Sequence, residues 1–147
     1  FPEGRVFEDS SVMCQLTKYC EKIVVIEKPL YYYRRQNTSI TLQKRDEEKS
    51  LKYINDFFMW IKEDVKCFQE ENNYKLVALA SRHLCDAIIS YSAEIQRENL
   101  LRWKKIYKEY AKAVLCCEDF SLMTKIKYFV GRINFALCRF CSNILSK

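Results

Sequence analysis

Apolar side chains recur three and four residues apart along most of the chain after residue 43, which is the period of an α-helix. Seams of this kind occupy residues 51–68, 77–95, 100–114 and 122–145. The chain holds only two glycines and two prolines, so few positions force a long helix to break. The pattern predicts a mainly α chain in which residues 44–147 form an antiparallel bundle of about four long helices.

The first forty-three residues follow a different pattern. Acidic and serine residues open residues 8–20, which predicts a short helix. Residues 22–34 are rich in β-branched and aromatic side chains, which predicts a strand that breaks or lies at a sheet edge at Pro29. We therefore predict a domain boundary, with a short helix-strand segment at residues 1–43 and a helical domain at residues 44–147.

The sequence also bears on membrane insertion, on the cellular compartment and on metal binding. No apolar run reaches the roughly 20 residues that span a bilayer. The start of the chain does not resemble an export signal, so the eight cysteines are interpreted as free, buried thiols of a cytoplasmic protein. Cys138 and Cys141 form a lone CxxC motif, and His83, the only histidine, is distant in sequence. We therefore predict no metal site in this chain.

Positive charge is concentrated near the end of the chain. The net charge is +6, and residues 99–147 hold ten basic and three acidic side chains. Such asymmetry indicates an anionic partner. Basic residues do alternate with aromatic ones around Trp103 and Tyr107, but those two aromatics share the buried seam, and no nucleic-acid-binding motif accompanies them. We therefore do not expect nucleic acid to be the partner.

Three short motifs occur in order near the start: GRVFED at residues 4–9, PLYYYR at residues 29–34 and NTSI at residues 37–40. Together they resemble the end of the catalytic domain of bacterial family 2 glycosyltransferases of the GT-A type. That family often has a G-x-x-x-E-D turn, a short helix, a strand ending P-L-Y-x-Y-R and a following S-I. The resemblance covers residues 4–40, and it implies that the chain is the C-terminal part of such an enzyme.

The resemblance also implies roles for individual residues. Sugar transfer with inversion needs a base that removes the proton of the acceptor hydroxyl, and the family's motif places this role on Asp9, with Glu8 in support. Arg34 or Arg35, together with Ser39, would bind the departing diphosphate, because guanidinium groups pair with phosphate oxygens. Outside this context, Glu8 and Asp9 would be interpreted as ordinary helix-start residues.

This sequence also departs from the family. The family's D-x-D metal motif precedes the E-D motif, and no Asp-x-Asp occurs in these 147 residues. The parent enzyme would use Mg²⁺ or Mn²⁺ and would transfer a sugar from a nucleotide-sugar donor to a surface or capsular glycan acceptor, whereas this chain alone is expected to be inactive. The alternative is a non-enzymatic basic helical module for protein or membrane-surface interaction.

Two further partners are predicted from surface features. The apolar stripe of residues 122–144 is accompanied by Lys125, Arg132 and Arg139, which recur every seven residues. We favour a terminal helix whose stripe packs on the other helices; the alternative is a helix that lies on the anionic inner face of a membrane. An unpaired strand at residues 22–34 would also invite pairing with a second copy in a homodimer.

Overall fold

The computed structural model describes residues 3–32 and 46–137. Within them the chain is mainly helical, as predicted, and no strand forms. The helices are α1 (Glu8–Lys18), α2 (Glu47–Glu70), α3 (Tyr74–Tyr91), α4 (Arg97–Cys116) and α5 (Leu122–Ile133).

Polar side chains set where three of these helices begin. The side chain of Asp46 accepts the backbone N–H of Lys49 at the start of α2, and Asn73 caps α3 in the same way. Ser121 accepts the N–H of Thr124 at the start of α5. Such caps satisfy N–H groups that have no partner inside the helix. The joins are short, and α2 packs against α3, α3 against α4, and α4 against α5.

The first three predicted seams form the core. Each turns its apolar side chains toward the neighbouring helices, and the residues that are fully buried include Ile54, Leu84, Ile88, Trp103 and Tyr107. Phe58 of α2 meets the rings of Trp103 and Tyr110 edge-on, with centroids 6.0 and 6.1 Å apart. The three-and-four spacing therefore predicted the buried face of α2, α3 and α4 correctly.

The fourth seam behaves differently. Tyr128 and Gly131 are the buried residues of α5, and the Tyr128 ring stacks on Tyr107 with centroids 6.4 Å apart. The seam residues Leu122, Ile126, Phe129 and Ile133 point instead to solvent. The favoured interpretation, in which this stripe packs on the other helices, is therefore wrong for the described part of the helix.

The last predicted helix is also interrupted. Asn134 has an extended backbone (φ −132°, ψ 90°), and its side-chain oxygen accepts the N–H of Leu137 at 3.1 Å. It therefore ends α5 and caps a new helical turn at residues 135–137. The prediction of one helix from residue 122 to residue 145 is wrong at this position, and residues 138–147 lie outside the described part.

The predicted strand at residues 22–34 does not form in its described part. Residues 20–32 have no regular structure, and their apolar side chains are exposed, Val25 by 85%. A strand needs a neighbour that accepts and donates its ladder hydrogen bonds, and β-branched composition cannot replace that neighbour. Residues 33 and 34 lie outside the described part.

The packing of α4 on α5 yields a stability prediction. A Cβ added to Gly131 would lie 2.7 Å from Cζ of Tyr107. Replacing a helical glycine by alanine normally stabilises a helix by about 1 kcal/mol, but overpacking a core costs about 1–3 kcal/mol. We expect Gly131→Ala to lower the free energy of unfolding by about 1–3 kcal/mol, measured by urea denaturation followed by circular dichroism. In a Tyr107→Leu background the same change should be neutral or stabilising, and a stabilising effect beside the native Tyr107 would contradict the prediction.

Candidate functional site

The segment before α1 is fastened to α2 by polar contacts. The backbone N–H of Val6 donates to the Asp56 carboxylate at 3.0 Å. Lys52 donates to the same carboxylate at 2.9 Å and to the carbonyl oxygen of Gly4 at 2.6 Å. A looser ion pair joins Arg5 to Glu63 on the same helix, at 3.6 Å. These contacts hold the start of the GRVFED motif against the helical part of the chain.

Phe7 provides the apolar half of the attachment. Its ring lies against Tyr53, Phe57 and Trp60, at centroid distances of 5.9, 5.4 and 6.2 Å. Its φ of 64° places it in the left-handed region, which is unfavourable for a bulky side chain and costs about 1–3 kcal/mol. The aromatic contacts and the Asp56 hydrogen bond stabilise this conformation. The turn that contains Phe7 leads directly into α1.

Glu8 and Asp9 occupy the first turn of α1, and both are exposed. One Asp9 carboxylate oxygen accepts the N–H of Ser10 at 2.7 Å, and the Glu8 carbonyl oxygen accepts the Ser11 hydroxyl at 2.9 Å. Among the described residues neither carboxylate forms an ion pair. The start of a helix favours a negative charge, so Asp9 lies where a carboxylate is stabilised and remains accessible to solvent.

The other predicted site residues divide into two groups. Arg34, Arg35 and Ser39 lie outside the described residues, as do Arg139 and the CxxC motif. Lys125 and Arg132 are partly buried on one side of α5, as their seven-residue spacing predicts. The structure thus describes the predicted base and two of the three predicted membrane-facing cations.

A second polar cluster was not predicted from the sequence. A cavity of about 240 Å³ separates α1 from α2, and Cys14, Lys18, Asp64 and Cys67 line it. Burial raises the pKa of Asp64 to about 6, and burial with a hydrogen bond to Cys67 raises the pKa of Cys14 to about 12. A thiol that keeps its proton is a poor nucleophile, so Cys14 does not suit covalent catalysis.

The sequence does contain a signal for the Asp64 cluster. Asp64 lies three residues after Ile61 and four before Phe68, so it belongs to the apolar seam of α2. A carboxylate at such a position is buried with the seam, and a buried carboxylate holds its proton more tightly. Asp56 gives no comparable signal for its contact with the segment before α1, because its partner there is the backbone N–H of Val6, fifty residues away in sequence.

Neither metal ligands nor a membrane span are found in the described part of the chain. Within residues 3–32 and 46–137, no three His, Cys, Asp or Glu side chains come together in a way that could hold a metal ion. None of the helices described there is both long and apolar enough to cross a bilayer. Six cysteines are described as free thiols, and Cys20 and Cys116 are exposed rather than buried as expected.

Comparison with known proteins gives no further assignment. No known family profile matches the chain, and neither a curated protein nor a solved structure matches it. The functional interpretation therefore depends on the motifs and on the geometry described above.

The Asp64 cluster predicts how stability varies with pH. The pKa of Asp64 is about 6 in the folded chain against 3.8 for an ordinary aspartate, so the folded state keeps a proton that the unfolded state has lost. The resulting stabilisation is complete below about pH 4 and is lost as the pH rises through about 6. We expect Asp64→Asn to be more stable than the native chain by about 2 kcal/mol at pH 7, with the difference shrinking toward pH 4. Urea denaturation of both proteins at each pH measures the difference in the free energy of unfolding.

The exposed Asp119, changed to Asn, provides a control, because its ion pair with Lys75 at 3.3 Å is exposed and such pairs contribute little to stability. The free energy of unfolding of this variant should stay within about 0.5 kcal/mol of the native value. A constant difference between Asp64→Asn and the native chain from pH 4 to pH 7 would contradict the prediction.

Proposed function

We propose that this chain is the C-terminal part of an inverting nucleotide-sugar glycosyltransferase that extends a surface or capsular glycan. Residues 1–43 would end the catalytic domain, and residues 44–147 would form its helical domain, arranged as an antiparallel bundle. The three motifs of residues 4–40, in the order of the glycosyltransferase family they resemble, are the sequence basis of the proposal. The helical domain would help to seat the acceptor.

The observation that carries this proposal is the placement of Asp9. Its carboxylate is exposed at the start of α1, and the turn before it has a strained conformation that is braced against α2 through Phe7 and Val6. An ordinary surface helix does not require such a turn, and backbone strain that is held in place in this way is typical of functional sites. Asp9 would accept the proton of the acceptor hydroxyl as that oxygen attacks the anomeric carbon.

The exposed segment after α1 gives independent support. Ile23, Val24, Val25 and Ile26 are adjacent, apolar and more than half exposed. A patch of this kind on a monomeric protein usually marks a binding surface. β-branched residues favour strands. We therefore propose that the sheet of the catalytic domain binds this patch and that residues 22–34 form one of its edge strands.

The remaining roles follow from the same proposal. Arg34 or Arg35 and Ser39 would bind the diphosphate of the donor, and the divalent metal would be held by a D-x-D motif that this chain does not contain. The donor sugar would also bind in that other part of the enzyme. By itself the chain would supply the base and the acceptor side of the site, and it would not transfer sugar.

The proposal is tested by removing the predicted base from the complete enzyme. Asp9→Asn keeps the shape of the side chain and an oxygen that accepts the Ser10 N–H, but it removes the basic oxygen. Loss of a general base costs about 100-fold or more in rate. We expect this loss in sugar transfer from a nucleotide-sugar donor. Glu98→Gln, at an exposed position in the first turn of α4, is the matched control and should keep its rate within about twofold. Full activity of Asp9→Asn would show that Asp9 only begins a helix.

Amide hydrogen exchange tests the proposed sheet edge. Residues 20–32 should exchange rapidly in this chain alone and should be strongly protected in the complete enzyme, because ladder hydrogen bonds slow exchange. Residues 84–88 in the core of α3 give the protected reference. Equal exchange of residues 20–32 in both proteins would contradict the proposal. Protection that increases with the concentration of the isolated chain would instead indicate the homodimer expected from an unpaired strand.

A further inference from the structure

The outward face of α5 is an apolar surface with a defined shape. Leu122, Ile126, Phe129 and Ile133, which we call the α5 stripe, follow one another three or four residues apart on one side of the helix. They are 73%, 45%, 53% and 71% exposed. A twelve-residue helix is about 18 Å long, so the stripe is long enough to lie along a surface and too short to cross a bilayer.

Positive charge borders the stripe on α5 itself. Lys125 and Arg132 lie along one edge of the stripe, whereas Lys127 lies nearer the buried side of α5. Lys127 is anchored to Asp86, which it approaches at 2.6 Å. The sequence has no aspartate or glutamate after residue 119, so no acidic side chain of α5 opposes Lys125 and Arg132.

More positive charge comes from α4. Lys104, Lys105 and Lys108, which we call the lysine row, line a cavity of about 470 Å³ together with Ile133 and Phe135. The ammonium group of Lys104 lies 6.0 Å from the centre of the Phe135 ring. Within residues 3–32 and 46–137, none of the three lysines forms an ion pair. The lysine row therefore adjoins the end of the α5 stripe and gives the surface a second cationic border.

We propose that the α5 stripe and the lysine row form a docking surface for an anionic lipid bilayer. The stripe would enter the boundary between headgroups and acyl chains with α5 parallel to the membrane, while the lysines contact anionic headgroups. Charge complementarity selects this occupant. A second copy of the chain would bring two cationic borders together, and their repulsion would oppose a dimer through this face. The inference is independent of the role proposed for Asp9.

Vesicle co-sedimentation of this chain tests the docking surface. Vesicles of phosphatidylcholine alone are compared with vesicles of equal parts phosphatidylcholine and phosphatidylglycerol, at low and high sodium chloride. We expect binding to the anionic vesicles to be at least about tenfold tighter than to the neutral ones and to weaken as salt is raised, because salt screens the lysine contacts.

Two double variants alter the α5 stripe and the lysine row in turn. Phe129→Glu with Ile133→Glu places acids on exposed positions of the stripe, and Lys104→Glu with Lys108→Glu reverses two of the three charges of the lysine row. Each is expected to weaken binding to the anionic vesicles by at least about tenfold. Lys62→Glu with Lys66→Glu changes the net charge by the same amount as the lysine-row variant but acts on α2, and it should keep binding within about threefold. Circular dichroism of each variant establishes that the helices are intact.

Several outcomes would overturn the proposal. Equal binding to neutral and anionic vesicles, or no binding to either, would remove the lipid assignment. An equal loss in the α2 control would show that only net charge matters. Sedimentation velocity that finds a dimer, converted to a monomer by Phe129→Glu with Ile133→Glu, would identify a second copy of the chain as the occupant of the stripe.

Discussion

The close approach of α4 and α5 at Tyr107 determines what the last described helix presents to solvent. The fully buried Tyr107 ring leaves no room for a Cβ at position 131, and it also contacts Tyr128 and Phe135. Tyr128 in turn donates from its hydroxyl to Asp86 at 2.8 Å, and burial raises the pKa of its phenol, so it stays a neutral donor. Glycine and tyrosine thus take the inward positions, and the more apolar side of α5 is left outside.

The start of the chain is held by a different kind of contact. Phe7 and Val6 attach the predicted catalytic segment to α2, and α1 then packs along that helix. The buried Asp64 carboxyl lies under this contact, where burial works against its ionised form. The part of the chain that would carry the base is therefore attached to α2, whereas the proposed membrane surface is built from α4 and α5. Each can be altered by substitution without changing the residues of the other.

The proposed function and the proposed docking surface are chemically compatible. An enzyme that extends a lipid-linked glycan must meet an acceptor whose anchor lies in a bilayer. A helix that lies along the headgroups would hold the chain at the bilayer in which such an acceptor is anchored. The measurements nevertheless separate the two ideas, because sugar transfer depends on Asp9 and vesicle binding depends on the α5 stripe.

The sequence alone was sufficient to predict that the chain is mainly helical, to place four of the five described helices closely, and to identify the buried faces of α2, α3 and α4. Each of these depends on spacing within one helix, which the order of residues specifies directly. The break at Asn134 and the exposure of the α5 stripe were not predictable in this way. An apolar stripe at helical spacing has the same sequence pattern whether it is buried in a core or exposed to water. Only the packing of Gly131 against Tyr107 determines that the α5 stripe is exposed. The hydrogen bond from Val6 to Asp56 likewise needed the tertiary structure, because a carboxylate that binds a distant backbone N–H has no local signature.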